Sequence, residues 1–379
     1  MSHLPKSLTE LREVIVGAVA DNQRLDIRGG GTKATIGRET PESAILDMGG
    51  FTGIVDYDPA ELVLTLRAGT PLADVQALVA AEGQMLAFDP FDHAALLAAS
   101  PARATIGGIV AAGVAGPLRI SAGGARDHVL GFEAVSGRGE RFVAGGRVVK
   151  NVTGYDLSKL IAGSWGRLVA LTQLTLKVLP RPRTVATLLI PGLSAPAAVS
   201  AMARGMGSQA EVSAVAHLPD SPTGPVTALR IHGFAASVDA RCAMLDDLFC
   251  DLGPLDRLDE AASIEFWRDV ALAAPLPAAK PLWRIVARPR CAPALVETVS
   301  GSWMLDWAGG LIWLASDADP AIVRAAAIDA GGHAVLIRAN AEMRKRVPAF
   351  HPQPDGVARL EERVRRAFDP AGIFETGRF

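Results

Sequence analysis

The stretch "DIRGGGTKATIG", residues 26–37, sets three consecutive glycines between the cation Arg28 and the hydroxyl and ammonium of Thr32 and Lys33. Glycine lacks the Cβ that obstructs positive φ angles, so three in a row let successive backbone N–H groups point into one concavity able to hold an anion. Phosphate is the anion this suggests. A solvent-exposed turn is the other reading of an isolated Gly-Gly-Gly, and the rest of the chain has to decide between them. "LDIRG" and "AILDM", on either side of the loop, read as short strands.

Working outward, 379 residues exceed what one hydrophobic core organises, so two domains or a two-lobed unit are expected. A formal net charge of -2 gives no support to a phosphate-backbone partner or an anionic membrane surface, which excludes nucleic acid as a partner on composition. Hydrophobic residues make up 49% of the chain, yet Gly, Pro or charge cuts every apolar stretch short of a bilayer span. No basic segment followed by an apolar run opens the sequence, so no secretory signal is read and the cytoplasm is the expected compartment. Cys242, Cys250 and Cys291 are too few and too scattered for a disulfide framework, a zinc site or an iron–sulfur cluster, and are expected to be buried thiols.

Strands and helices alternate along the chain. Ser7-Leu8-Thr9-Glu10 fits a capping box ahead of Leu11, Ile15 and Val19 at helical spacing. In "ELVLTLRAGTPLADVQALVAAEG" Leu62, Leu64 and Leu66 share one strand face, and Thr70 is expected to cap a helix with Pro71 in its first turn and Gly83 after its end. From Ser100 to Gly146 glycine is dense and helix-length periods are few, so a loop-rich region is expected. Two prolines in Pro180-Arg181-Pro182-Arg183 mark a boundary. Beyond it strands and helices recur as an α+β domain with two similar halves, and Val357, Leu360, Val364 and Phe368 then form an apolar stripe before "DPAGIFETGRF".

Other cofactor signals fail. The chain has no Gly-Lys pair, so no Walker loop, and Gly205-Met206-Gly207-Ser208-Gln209-Ala210 follows a helix where a dinucleotide fingerprint needs a strand. The seven histidines form no His-x-x-x-His pair, so His93, His128 and His217 read as structural and no metal site is expected.

Three glycine-rich segments remain: "RGGGTK" (28–33), "SPARATIGGIVAAGVAGPLRISAGGARDHVLGFEAVSGRGE" (100–140) and "GRVVKNVTGYDLSKLIAGSWGRLVALTQLTLKVLPRP" (146–182). Together, in this order, they resemble the FAD-binding domain of the vanillyl-alcohol-oxidase or p-cresol-methylhydroxylase type. "DYDPAELVLTLRAGTPLADVQALVAAEGQMLAFDP", "GPLRISAGGARDHVLG", "GGHAVLIRA" and "FDPAGIF" are similar, over most of the chain, to the FAD-binding E subunits of bacterial glycolate oxidases. The resemblance implies an α+β, two-lobed fold: a FAD-binding domain over 1–182, a duplicated ferredoxin-like α+β domain over 183–340, and a C-terminal segment, 341–379, returning to the flavin domain. It also implies a site. Arg28, Gly29, Gly30, Gly31, Thr32 and Lys33 would hold the diphosphate. Pro101, Thr105, Gly107, Gly108 and Gly113 would line the flavin, Arg126 and Asp127 would brace the second segment, and Gly154, Tyr155, Lys159 and Gly163 would belong to the third.

The implied chemistry is flavin-dependent oxidation of a small 2-hydroxy acid such as glycolate, which needs a carboxylate anchor and a base or metal. Relatives that perform it carry Glu-His-Gly and Pro-His-His segments, where this chain has Gly332-His333-Ala334 and Phe350-His351-Pro352. The usual terminal Phe-Asn-Pro-Gly is replaced by Phe374-Glu375-Thr376-Gly377, and a carboxylate beside a reduced flavin would be repulsive. No histidine follows the first glycine loop, so the FAD is expected to be non-covalent. The implied partners are a catalytic flavoprotein paralogue and an iron–sulfur subunit, through which the chain would reach the inner membrane. Two other readings stay open: a non-catalytic flavin-fold scaffold, and a self-sufficient oxidase with Arg284, Arg288 or Arg338 as its anchor.

Overall fold

In the computed structural model, which describes residues 1–97, 103–146 and 155–379, the first helix starts where its capping residues demand. Ser7 Oγ accepts the N–H of Glu10 at 3.2 Å, and α1 (Leu8–Ala20) turns Leu11, Ile15 and Ala18 inward. Strands β1 (Leu25–Arg28) and β2 (Ala44–Asp47) flank the glycine loop and pair in parallel. A five-stranded antiparallel sheet follows, built from β3 (Ile54–Asp58), β4 (Val63–Arg67), β5 (Val129–Ser136), β6 (Arg141–Gly145) and β7 (Val169–Lys177), in the order β3-β4-β7-β5-β6. Helices α2 (Leu72–Ala81) and α3 (Ile106–Ala112) pack on it through Val75, Val79, Ile109 and Val110 against Leu64, Leu174 and Leu176.

Two local expectations fail. Pro71, with φ -57° and ψ 137°, is the N-cap of α2, because the Thr70 hydroxyl is held elsewhere: it donates to Arg67 O at 2.7 Å and accepts the N–H of Gly53 at 3.0 Å. The glycine-dense stretch before Gly146 holds α3, β5 and β6. Seven of the eight residues of β5 are buried, so the strand lacks the polar and apolar alternation by which strands are recognised.

The second unit opens with β8 (Thr184–Pro191), α4 (Ala195–Met206), β9 (Ala214–Ser221), β10 (Gly224–Gly233), α5 (Ala235–Leu248) and β11 (Asp256–Leu258). After helix α6 (Glu260–Ala271) the same βαββαβ order repeats as β12 (Leu282–Val286), α7 (Ala292–Thr298), β13 (Ser302–Asp306), β14 (Leu311–Ala315), α8 (Pro320–Asp329) and β15 (His333–Arg338). The strands form one antiparallel sheet, β11-β8-β10-β9-β13-β14-β12-β15, in which the second half mirrors the first. The halves join where Ala216 and His217 of β9 pair with Asp306 and Leu305 of β13. Helices α4, α5, α7 and α8 bury one face of this sheet around Trp283, Ile285, Leu305, Ile312 and Phe249. This is a duplicated ferredoxin-like arrangement.

The compact units are residues 1–115, 123–181 and 352–379, and residues 116–122 and 182–351. The expected single run over 1–182 is therefore interrupted, since 116–122 packs with the second unit, and the chain rejoins the first unit at 352, later than 341. There α9 (Asp355–Phe368) buries none of its residues fully: Val364 and Phe368 pack against the sheet core, while Val357 and Leu360 are exposed. Of the cysteines only Cys242 is buried, Cys250 being exposed and Cys291 intermediate, because Cys250 sits in a short turn after α5 with no core to enter.

Past α9, the Asp369 carboxylate accepts the N–H groups of Ile373 at 3.1 Å and Phe374 at 2.7 Å, and these two side chains enter a small core with Leu11, Ile15, Leu46 and Val135. Replacing Phe374 with Ala is expected to destabilise the first unit by about 3–5 kcal/mol. Denaturant unfolding followed by circular dichroism checks this, and an unchanged midpoint would show that the segment does not anchor that core.

Candidate cofactor site

The three glycines do three different things. A Cβ on Gly29 would overlap Thr105 Oγ1, and one on Gly30 would overlap the carbonyl of Arg103, so both residues are glycine because another stretch of chain lies against them. Gly31 has open space around it and a φ of +72°, so it is glycine for its backbone conformation. Among the described residues no hydrogen bond engages the backbone N–H of Gly30, Gly31, Thr32 or Lys33. Donors presented in this way make a nest for an anion.

The loop opens on a cavity that is partly open to solvent. Gly29, Gly30, Gly31, Thr32 and Lys33 line it with Arg28. Opposite them Thr105 caps α3, accepting the N–H of Gly108 at 3.3 Å, and Gly107 and Gly108 come to the cavity wall. Gly107 is forced by proximity too, since a Cβ there would stand 2.7 Å from the Ala68 carbonyl oxygen. Ile27, Met48, Ala111, Ala112, Val169 and Leu171 supply an apolar lining. A polar, cationic nest thus continues into an apolar wall within one cavity, which fits a cofactor combining a diphosphate with an aromatic ring system.

The Lys33 pKa is lowered to about 8, chiefly by burial, with the Asp92 carboxylate opposing the shift and the Arg378 guanidinium adding to it. Arg28 pairs with Asp26 at 2.6 Å.

Other expected residues lie outside the cavity. Gly113 is the left-handed C-cap of α3, and a Cβ on it would stand 3.3 Å from Gly163 Cα. Gly163 itself donates to Val110 O at 3.1 Å. Asp127 accepts the N–H of Gly124 at 2.9 Å within the second segment, and Lys159 Nζ donates to the carbonyl of Arg126 at 2.6 Å, tying the third segment to the second. Tyr155 is 92% exposed. Pro101 and Gly154 lie outside the described residues.

Sequence reasoning missed the far end of the chain. Buried Arg378 donates to Ile36 O at 2.8 Å, to Asp26 Oδ1 at 3.3 Å and to Lys33 O, while its own carbonyl accepts the N–H of Arg38 at 3.0 Å. Phe379 lines the cavity and meets Trp165 edge to face at 5.2 Å. Trp165 sits in the quoted "GSWG" with a positive φ of 56°, but nothing in the sequence links it to residue 379. Glu375, where repulsion with a flavin was expected, faces arginines: Arg167 lies at 3.0 Å and Arg365 at 2.9 Å. Its charge is answered within the first unit.

Residues 3–145 match the family described as FAD binding domain. Over 372 residues the chain is 34% identical to "Glycolate oxidase subunit GlcE" of Escherichia coli (strain K12), spanning 97% of this chain and 96% of that protein. The chain belongs to the GlcE family. Its cofactor is FAD. A shorter likeness, 30% over 188 residues, covers 49% of this chain and 38% of "Glycolate oxidase subunit GlcD" of Bacillus subtilis (strain 168). Among solved structures, p-cresol methylhydroxylase superposes with a TM-score of 0.71 at 15% identity, covering 100% of this chain and 88% of that one. Alkyldihydroxyacetonephosphate synthase gives 0.68 at 16%, covering 98% and 76%. At these identities the structural likeness speaks for the fold, the FAD-binding fold of p-cresol methylhydroxylase type.

The loop geometry separates its glycines experimentally. Gly30→Ala is expected to displace the loop from Arg103 and strip the protein of flavin, whereas Gly31→Ala should cost about 1–2 kcal/mol of strain and retain it. The flavin absorbance per purified chain checks both, and full occupancy in Gly30→Ala would contradict the close approach.

Proposed function

We propose that this chain is the FAD-holding subunit of a multi-subunit enzyme that oxidises glycolate or a similar small 2-hydroxy acid. The observation that carries the reading is the convergence of the glycine nest, Lys33 and the capped start of α3 on one cavity, in a chain matched along 97% of its length by a glycolate oxidase subunit. Bound FAD supplies the capacity to accept two electrons from the alcohol. The backbone N–H groups of Gly30 to Lys33 bind its diphosphate, with the Lys33 ammonium opposing the charge. Thr105 positions Gly107 and Gly108, and Ala111, Ala112, Val169 and Leu171 exclude water from the apolar wall. Arg378 fixes the loop from behind.

The partner requirement is part of the proposal. With its three cysteines dispersed, the chain lacks the thiolate set that would ligate an iron–sulfur cluster, so electrons leave through an iron–sulfur subunit. His333 and His351 do approach each other: His351 Nδ1 accepts the N–H of Ala334 at 3.2 Å. Among the described residues, however, no three His, Cys, Asp or Glu side chains gather as a metal site would require. Among them too, no helix is long and apolar enough to cross a membrane. The proposed complex would sit on the cytoplasmic side of the inner membrane, with this chain held there through its partners.

Two outcomes are expected. The purified chain should carry FAD released by acid without proteolysis, and its turnover of glycolate with an artificial acceptor should fall about 10²- to 10⁴-fold below that of the assembled complex, the scale of a missing general base. A colourless protein that fails to take up added FAD would make it a scaffold, and robust turnover by the chain alone would make it self-sufficient.

A further expected outcome concerns pH. Lys33 has a pKa of about 8 in the free protein, and a diphosphate favours its protonated form. FAD affinity should therefore be level below pH 8 and fall above it, by up to about tenfold per pH unit. Lys33→Met should bind FAD more weakly at pH 7 and lose the break, as measured by fluorescence titration across that range.

A further inference from the structure

Lysines elsewhere in the chain are engaged: Lys159 Nζ donates to the Arg126 carbonyl at 2.6 Å, Lys345 pairs with Glu342 at 3.0 Å and Lys280 with Asp317 at 3.5 Å. Lys33 is different. It lines the cofactor cavity, and among the described residues its Nζ makes no hydrogen bond and no ion pair. The other cations of the loop, Arg28 and Arg378, both lie against Asp26, at 2.6 Å and 3.3 Å. The Asp92 carboxylate, whose charge favours the ammonium, accepts the N–H groups of Ala94 at 2.9 Å and Ala104 at 3.4 Å.

Three chemistries therefore meet in one cavity. The N–H groups of Gly30 to Lys33 offer a nest for a phosphate. Ala111, Ala112, Val169 and Leu171, with the rings of Trp165 and Phe379, offer an apolar and aromatic wall. Between these lies an amine with a pKa of about 8, half of it uncharged at pH 8, where roughly 0.4% of an ordinary lysine is uncharged. A desolvated, uncharged lysine is a nucleophile for carbonyl carbon.

We propose that the flavin-free chain is a receptor for phosphorylated aromatic aldehydes, which seat their phosphate in the glycine nest, form an imine with Lys33 Nζ and thereby block the loading of FAD. The amine lone pair adds to the aldehyde carbon, and the carbonyl oxygen leaves as water with the two amine hydrogens. A carbon–nitrogen double bond replaces the carbon–oxygen one, and nothing is oxidised or reduced. An aldehyde suits the site better than an acyl phosphate, because its phosphate remains attached after the reaction and keeps its contacts with the nest. The phosphate and Asp92 both favour the protonated imine, which holds the adduct in place. The inference rests on the reading of this nest as the diphosphate site of FAD.

The purified full-length chain, as isolated and after dialysis free of flavin, is treated with pyridoxal 5′-phosphate or with pyridoxal, reduced with borohydride, digested and mapped by mass spectrometry. Lys33 of the flavin-free chain is expected to carry the main adduct, at about tenfold or more lower concentration of the phosphorylated aldehyde than of pyridoxal, as loss of charge-assisted phosphate contacts implies. Bound FAD, or added ADP, should protect Lys33. K33R keeps a cation beside the nest but has no amine able to form the imine, so a K33R protein with an unchanged thermal midpoint should lose the adduct. Labelling spread evenly over the other lysines, equal reactivity toward pyridoxal, or an imine absorbance unchanged in folded K33R would each overturn the proposal. The two readings of the cavity fail separately. Phosphate-dependent labelling of Lys33 that FAD does not prevent would overturn the placement of FAD, and with it the block on loading, while the aldehyde site stands. FAD uptake by a chain whose empty form leaves Lys33 unlabelled would overturn the aldehyde site alone.

Discussion

The first unit depends on backbone lying against backbone. Gly29 lies against the Thr105 side chain, Gly30 against the Arg103 carbonyl and Gly107 against the Ala68 carbonyl, so the loop after β1, the start of α3 and the end of β4 meet with no room for a Cβ at these glycines. A methyl group at any of these positions would push the segments apart and close the cavity from within. The same proximity explains why the loop can present N–H groups to a ligand: its partners on the other side are carbonyls and a hydroxyl already fixed by α3 and its cap.

The loop is also held from behind, by the residue next to last in the chain. Arg378 places one guanidinium among Asp26, Ile36 O and Lys33 O, joining the strand before the glycines to the turn after them. A buried ion pair contributes little net stability when its desolvation is counted, but leaving either partner alone is costly. Its effect here is geometric, since the donors of Arg378 dictate where the Lys33 and Ile36 carbonyls point. Its charge also helps keep the Lys33 ammonium easily deprotonated until an anion arrives. Glu375, three residues earlier, is neutralised by Arg167 and Arg365. The tail thus presents a cation and an aromatic ring to the cavity.

The second unit solves a different problem. Its duplicated βαββαβ halves join edge to edge into eight strands, and four helices bury one face. The other face carries groups that a core would reject, among them Arg230 over Trp267, and Arg284 with Arg119 over Trp307. Indole rings make this tolerable, because each gives a cation an apolar neighbour with a favourable electrostatic face.

The sequence by itself determined the class of fold, the cofactor and the glycine loop, because these rest on local chemistry: runs of glycine, capping residues, strand and helix periods, and three segments in a fixed order. It also located α1 and the paired halves of the second unit, whose one-sided burial leaves a readable period. What local chemistry cannot carry was decided by tertiary structure. Thr70 looks like a cap until Gly53 and Arg67 claim its hydroxyl, and β5 is unreadable because both its faces are buried. Gly113, Arg126, Asp127, Lys159 and Gly163, expected at the site, lie outside the cavity and make contacts among their own segments. Arg378 and Phe379 reach it across some 340 residues of chain, through contacts that no spacing encodes. The physical reason is the same throughout: a backbone preference is a property of a few neighbouring residues, whereas a close approach belongs to two distant segments at once and exists only after both have folded.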